Sequence, residues 1–152
     1  MEAISGVILA DPTFLSPQRQ IEGHESDVVE QHRRLLSLDR AEVLAEARIR
    51  HAHRSPELVE LTVEARMKTR IQAFDVLPPP NPEYYHLIST IHVPILLIIG
   101  DKDVVSLETA QELQNLSPRL TIEIIEDAGH ALQYDQPERF EVLVRCFLQS
   151  LA

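Results

Sequence analysis

The run "VPILLIIG", from Val93 to Gly100, constrains the fold of this chain more than any other feature. It is almost continuously apolar and rich in branched side chains, which is typical of a parallel strand covered on both faces. Two further runs have a similar character, "GVILA" at Gly6 to Ala10 and "LTIEII" at Leu120 to Ile125. We therefore predict an α/β fold with about three parallel strands and flanking helices.

The segment between the second and third predicted strands indicates a helix. Ser106 occupies an N-cap position, and the following residues place Ala110, Leu113 and Leu116 on one helical face. Strand, helix and strand in this order form a βαβ unit, whose two strands run parallel.

A second helix is predicted at the end of the chain. Asp135 and Glu138 have the spacing of a capping box. The apolar stripe that should face the sheet consists of Phe140, Leu143, Val144, Phe147, Leu148 and Leu151.

Residues 21–90 differ in composition from the rest and predict a helical insertion. They are rich in charge, alanine and leucine, and contain no strand-like run. Asp39 with Glu42 predicts the start of one helix, and Ser55 before Pro56 predicts the start of another. We therefore expect a first core strand and its exit loop over 1–20, a helical cap or lid over 21–90, and a second core segment over 91–152.

Composition narrows the classes of partner. The chain has 152 residues and a formal charge of -10, which opposes binding to nucleic acid or to anionic membranes, so we look for a small-molecule ligand. The single cysteine, Cys146, lies in the apolar pattern of the last helix and predicts a buried thiol. The first residues lack the pattern of a signal peptide, and we expect a cytoplasmic protein.

Two acidic residues follow the second predicted strand, in "GDKDVVS". Asp101 and Asp103 lie just past the carboxyl end of a parallel strand, where open α/β sheets assemble their sites. Either carboxylate could orient a histidine, although a Gly-Asp pair also commonly makes a turn and caps the next helix.

One histidine follows the third predicted strand, in "DAGH". We predict that Gly129 gives the backbone a conformation that other residues resist, and that the turn presents His130. The βαβ unit should bring this histidine beside the acidic turn. An acid beside an imidazole fixes its tautomer and stabilises its protonated form, as in a Ser-His-Asp site.

Together these residues resemble a known family. The run "VPILLIIGDKDVVS", followed by "IEDAGHALQYDQPERFEVLVRCFLQSL", is similar to the carboxyl-terminal part of the α/β-hydrolase superfamily. "AISGVILADP" resembles the strand after that family's nucleophile helix, and the helical insertion resembles its lid. The resemblance implies that Asp103 is the catalytic acid and His130 the base, with Asp101 as the alternative acid.

The family's nucleophile motif is absent from these 152 residues. No G-x-S-x-G elbow can be built around Gly6, Gly23, Gly100 or Gly129. The resemblance thus implies part of a hydrolase that acts on an ester, amide or similar bond but is inactive alone, either as a fragment or as one half completed by a partner. The exposed first strand could also support self-association. The alternative is a non-catalytic module of the same fold that binds a ligand or partner.

Other candidate sites are weaker, and we expect neither metal nor cofactor. "DKD" resembles the metal-binding pair of some glycosyltransferases, but nothing nearby resembles a nucleotide site. His51 and His53 lie two residues apart on a predicted helix, so their side chains should point in different directions.

Overall fold

The computed structural model describes residues 4–80, 82–102 and 104–152. It confirms the α/β fold class: the three strands form one parallel sheet in the order β1-β2-β3. The elements follow the chain as β1 (Val7–Ala10), α1 (Pro17–Glu25), α2 (Val28–Ser37), α3 (Arg40–Arg50), α4 (Pro56–Lys68), a 3-10 helix (Ile71–Val76), α5 (Tyr84–Thr90), β2 (Ile95–Gly100), α6 (Leu107–Leu116), β3 (Leu120–Ile125), α7 (Leu132–Asp135) and α8 (Pro137–Ser150).

The chain divides into two compact units. The core unit consists of 1–14 and 82–152 and holds the sheet, whereas the helical unit consists of 15–81. The predicted boundaries at 20 and 90 remain a prediction. Within the described residues, no helix combines the length and the apolar character needed to cross a bilayer.

The central strand of the core unit is buried on both faces, as its apolar run predicts. Alternate side chains of a strand point to opposite faces, so Leu97 and Ile99 join one apolar cluster while Leu96 and Ile98 join another. The first cluster includes Ala110 and Leu113 of α6, and the second packs against α8. These clusters hold the carboxyl ends of the strands in place beneath the loops that follow them.

The N-cap predictions made from local sequence are largely confirmed. The Ser106 hydroxyl accepts the N–H of Thr109 at the start of α6, and the Ser55 hydroxyl accepts the N–H of Leu58 at the start of α4. At the start of α3, Asp39 and Glu42 form both bonds of a capping box.

The last helix differs from its prediction in two respects. The predicted capping box is wrong, because α8 begins at Pro137 after Gln136, which makes no side-chain capping bond, while Asp135 ends α7. The buried thiol is also wrong, since Cys146 is exposed beside the stripe that packs on the sheet. Leu116 and Leu148, which were expected on apolar faces, are 46% and 54% exposed.

The helical unit has a small core of its own. Helices α3 and α4 pack together through four buried side chains, which are Val43, Leu44, Val59 and Val63. His32 of α2 is also buried, and its Nε2 lies 2.9 Å from the carbonyl oxygen of Thr69. That contact joins α2 to the chain that leaves α4, so His32 has a structural role.

Candidate active site at the carboxyl edge of the sheet

The three strands end at the same edge of the sheet because they run parallel. Asp11 comes directly after β1, Asp101 comes directly after β2, and His130 lies in the loop after β3. The pairing register places Ala10, the last residue of β1, beside Ile98, which lies two residues before the end of β2. The edge therefore gathers two carboxylates and one imidazole from three distant parts of the chain.

Asp11 is the most constrained of these residues. It is fully buried, and its backbone has a φ of 39°, a left-handed conformation that few residues other than glycine adopt. Its N–H donates to the carbonyl of Ile98 at 2.8 Å, and its Oδ1 accepts the N–H of Val105 at 3.3 Å. Such backbone conformations cost free energy and persist where surrounding contacts enforce them, commonly at functional sites.

The second oxygen of this carboxylate contacts the candidate base. Oδ2 of Asp11 lies 2.5 Å from Nδ1 of His130. If the carboxylate is ionised it can only accept a hydrogen bond, so this contact then requires a proton on Nδ1 and leaves Nε2 of a neutral ring as the acceptor. The His130 side chain is 59% exposed, whereas the Asp11 side chain is fully buried. The imidazole can therefore contact a small molecule while the carboxylate that holds it is shielded from solvent.

The loop that presents His130 is fixed by a neighbouring acid. Oδ2 of Asp135 accepts the N–H of Gly129 at 3.1 Å, which ties the loop to the first turn of helix that follows it. The predicted special conformation of Gly129 is wrong, because its φ is not positive. Asp127 takes that conformation instead, with a φ of 57°. The sharp change of direction therefore comes two residues before the glycine.

Asp101, the alternative acid, stabilises the same loop through the backbone. Its Oδ1 accepts the N–H of Ala128 at 3.2 Å. Hydrogen bonds from the N–H groups of Asp127 and Ala128 hold the pKa of the Asp101 carboxyl below its ordinary value, because they favour the ionised form. The side chain thus joins the loop after β2 to the loop after β3.

Lys102 adds two further links between these loops. Its N–H donates to the carbonyl of Ala128 at 3.3 Å, and its ammonium lies 3.2 Å from a carboxylate oxygen of Asp127. Both ends of that ion pair are exposed, so its contribution to stability is small.

Asp103, the acid implied by the family resemblance, lies outside the described residues, and its role remains a prediction. The carboxylate that contacts His130 is Asp11, which was not among the acids predicted from the sequence. The rule that singled out Asp101 and Asp103 also applies to Asp11, since "VILADP" places an acid just past the carboxyl end of β1. This position after the strand was sufficient to predict Asp11 as a candidate acid.

The other sequence candidates do not form a metal site among the described residues. Within 4–80, 82–102 and 104–152, no group of three or more His, Cys, Asp or Glu side chains is arranged to hold a metal ion. The prediction that His51 and His53 lie on a helix and point in different directions is wrong: both follow the end of α3, and their rings meet edge to face with centroids 6.3 Å apart.

Comparison with known proteins agrees with this architecture. The model of the family described as "Alpha/beta hydrolase family" matches residues 2–142. A Bacillus subtilis (strain 168) protein described as a 2-succinyl-6-hydroxy-2,4-cyclohexadiene-1-carboxylate synthase is 36% identical over 71 residues, which are 47% of this chain and 26% of that protein.

Solved structures show the same fold over nearly the whole chain. An E-2-(acetamidomethylene)succinate hydrolase superimposes with a TM-score of 0.68 at 16% identity, covering 96% of this chain and 58% of that one. A thermophilic esterase from Thermogutta terrifontis gives 0.63 at 23% identity, covering 97% and 56%. The chain therefore spans little more than half the length of these two structures and about a quarter of the Bacillus protein.

Proposed function

The chain belongs to the alpha/beta hydrolase family, and on that premise we propose that it supplies the acid–base half of a Ser-His-Asp active site. In this proposal His130 is the general base, Asp11 holds its imidazole, and the reaction cleaves an ester, amide or similar bond of a small molecule. The observation that carries the proposal is the 2.5 Å contact between Oδ2 of Asp11 and Nδ1 of His130.

The chemistry follows from the protonation states of the pair. With Nδ1–H directed at Asp11, Nε2 of His130 takes the proton of an attacking hydroxyl. The imidazolium that forms lies against a buried carboxylate, which stabilises it without itself becoming protonated. The same Nε2–H then donates to the leaving group. Asp11 therefore acts through His130 as a positioning residue, and His130 touches the reacting atoms.

The attacking serine comes, in this proposal, from a G-x-S-x-G elbow outside these 152 residues. No such motif occurs in the sequence. Loss of the nucleophile from a serine hydrolase lowers turnover by roughly 10⁶-fold, and the elbow also supplies part of the oxyanion hole. We accordingly expect the 152 residues alone to be inactive towards esters and unreactive with fluorophosphonates.

The missing strand could pair with the open side of β1, the side that faces away from β2. β1 pairs on one side with β2, and its side chains from Val7 to Leu9 are only half-buried. An additional parallel strand on the other side would cover them and would bring its own carboxyl end to the edge that holds Asp11 and His130. Self-association of two chains through the same strand is the competing proposal.

The role of Asp103 is part of the same proposal. The family pattern implies that an acid at this position serves the histidine, whereas the described geometry favours Asp11. The two are separable by substitution in the protein that also carries the elbow: there we expect Asp11→Asn to lower kcat by about 10⁴-fold, the loss seen when an orienting aspartate is replaced. Asp103→Asn should lower it by less than tenfold. The reverse order would assign the acid to Asp103.

The first test is the reading frame upstream of the first codon. A continuous frame that encodes G-x-S-x-G supports the proposal, and the protein made from it should hydrolyse p-nitrophenyl acetate and react with a fluorophosphonate at the elbow serine. If no such frame exists and the 152-residue chain is a well-behaved monomer, the non-catalytic binding module is favoured instead.

A further inference from the structure

The helical unit contains a cavity of its own, with a volume of about 370 Å³. It lies among helices α2, α3 and α4, and its volume falls in the range of small-molecule sites, roughly 300–1,000 Å³. Its apolar lining comes from the core of this unit, where Val43, Val59 and Val63 are buried. All of its lining residues lie between 31 and 66, so it shares no side chain with the edge that holds Asp11 and His130.

Most of the charged side chains in the lining are basic. Four arginines line the cavity, Arg34, Arg50, Arg54 and Arg66, together with His51 and one acid, Glu46. This is a concentration of positive charge in a chain whose formal charge is -10 and which has only 14 lysines and arginines in all. Like charges brought together repel, and an anion placed beside Arg34, Arg50 and Arg66 would lower that electrostatic energy.

The chemistry of the lining specifies a ligand class. Guanidinium groups present planar pairs of N–H donors that match the two oxygens of a carboxylate. The valine side chains match an apolar body, and burying it would add a contribution that a bare inorganic anion cannot make. We propose that this cavity binds a small organic carboxylate with an apolar chain or ring. The proposal concerns the helical unit alone and does not depend on the hydrolase reaction.

The direct test is a titration of the 152-residue chain with sodium hexanoate at low ionic strength, followed by ¹⁵N NMR. Saturable shifts should appear in α2, α3 and α4. Hexan-1-ol has the same chain without the charge, and inorganic phosphate has charge without the chain. Both should bind at least about tenfold more weakly, because each lacks one of the two contributions. Added salt should weaken hexanoate binding.

Two adjacent arginines provide a matched pair of variants. Arg34 lines the cavity, whereas Arg33 pairs with Glu30 on the exposed surface at 3.2 Å. We expect Arg34→Gln and Arg66→Gln each to weaken hexanoate binding by about tenfold, the effect of losing one charged hydrogen bond. Arg33→Gln should change it by less than about twofold, because an exposed ion pair contributes little. Arg34→Lys should bind more tightly than Arg34→Gln.

Several outcomes would overturn the proposal. They are an absence of saturable binding up to about 10 mM hexanoate, equal binding of hexan-1-ol, or an equal loss in Arg33→Gln and Arg34→Gln. If inorganic phosphate bound as tightly as hexanoate, the apolar lining would contribute nothing to binding, and the proposal of an organic ligand would be wrong. Far-UV circular dichroism identifies any variant that fails to fold. If Arg34→Gln fails to fold, Arg66→Gln is compared with Arg33→Gln instead. None of these results bears on whether His130 is a catalytic base.

Discussion

Oδ2 of Asp11 lies 2.5 Å from Nδ1 of His130, although the two residues are 119 positions apart in the chain. The contact joins the loop after the first strand to the loop after the third. Asp11 is held by Ile98 and Val105 through its own N–H and its other oxygen, so the carboxylate is fixed before it meets the ring. This arrangement is the basis of the proposed function and of the tautomer that it assigns to the histidine.

The first prediction concerns the tautomer of His130. In the 152-residue chain, at a pH where the His130 ring is neutral, ¹⁵N chemical shifts should show the proton on Nδ1, because an ionised Asp11 can only accept. Asp11→Asn should populate the Nε2–H tautomer, since the amide can donate to Nδ1. Asparagine also tolerates the left-handed backbone at this position, which separates the electronic change from strain. An unchanged tautomer in Asp11→Asn would show that Asp11 does not control the ring.

The second prediction concerns the core beneath the site. Leu97 is fully buried in the central strand, and Leu97→Ala should lower the free energy of unfolding by about 2–5 kcal/mol, from lost burial and the cavity left behind. Leu148 is 54% exposed, so Leu148→Ala should change it by less than about 0.5 kcal/mol. Urea denaturation measures both. Equal losses would mean that the burial assigned to β2 is incorrect.

The third prediction concerns the start of α3. Asp39→Ala removes the capping box and should cost about 1 kcal/mol, because two helix N–H groups lose their partners. Asp27 precedes α2 but makes no capping bond to its backbone, so Asp27→Ala is the matched control and should cost less. Thermal and urea unfolding of the two variants make the comparison. A larger loss in Asp27→Ala would contradict the assignment of the cap.

The fourth prediction concerns acid stability. The folded-state pKa of Asp101 is lowered, chiefly by the backbone N–H of Asp127, so this group stabilises the fold above its ordinary pKa of about 3.8. The contribution is lost as the pH falls through the lower folded-state pKa. The stability difference between the parent chain and Asp101→Asn should therefore shrink as the pH is lowered from 6 to about 3.

The control for that experiment is Asp127→Asn, which keeps the backbone N–H that Asp101 accepts and removes only the exposed ion pair with Lys102. Its stability difference from the parent chain should be small and should vary little with pH. If Asp101→Asn shows the same flat profile, the hydrogen bonds to Asp101 do not stabilise the fold.

The parts of the fold that depend on local sequence were predictable. The apolar runs identified all three strands, and the residues at Ser106, Asp39 and Ser55 identified the starts of three helices, because capping is decided within four positions. The start of the last helix could not be predicted in this way. Asp135 has the spacing of a cap, but its carboxylate bonds to Gly129 in the preceding loop, and a pattern of spacing cannot distinguish these partners.

The candidate site was predictable only in part from the sequence. His130 and the carboxyl edge followed from the order of strands and loops, whereas its contact with Asp11 depends on the register of β1 on β2 and on the position of two loops. The left-handed conformations at Asp11 and Asp127 were not predicted either, because sequence patterns point first to glycine for such positions. Tertiary contacts impose them here.

The most direct measurement of the central claim is ester hydrolysis by the protein that carries both a G-x-S-x-G elbow and this chain, with and without His130→Ala. The account predicts fluorophosphonate labelling at the elbow serine and p-nitrophenyl acetate turnover that falls by roughly 10⁴- to 10⁶-fold in His130→Ala. His24→Ala, on α1 of the helical unit, serves as the control and should retain activity. Turnover that survives His130→Ala within tenfold would contradict the account.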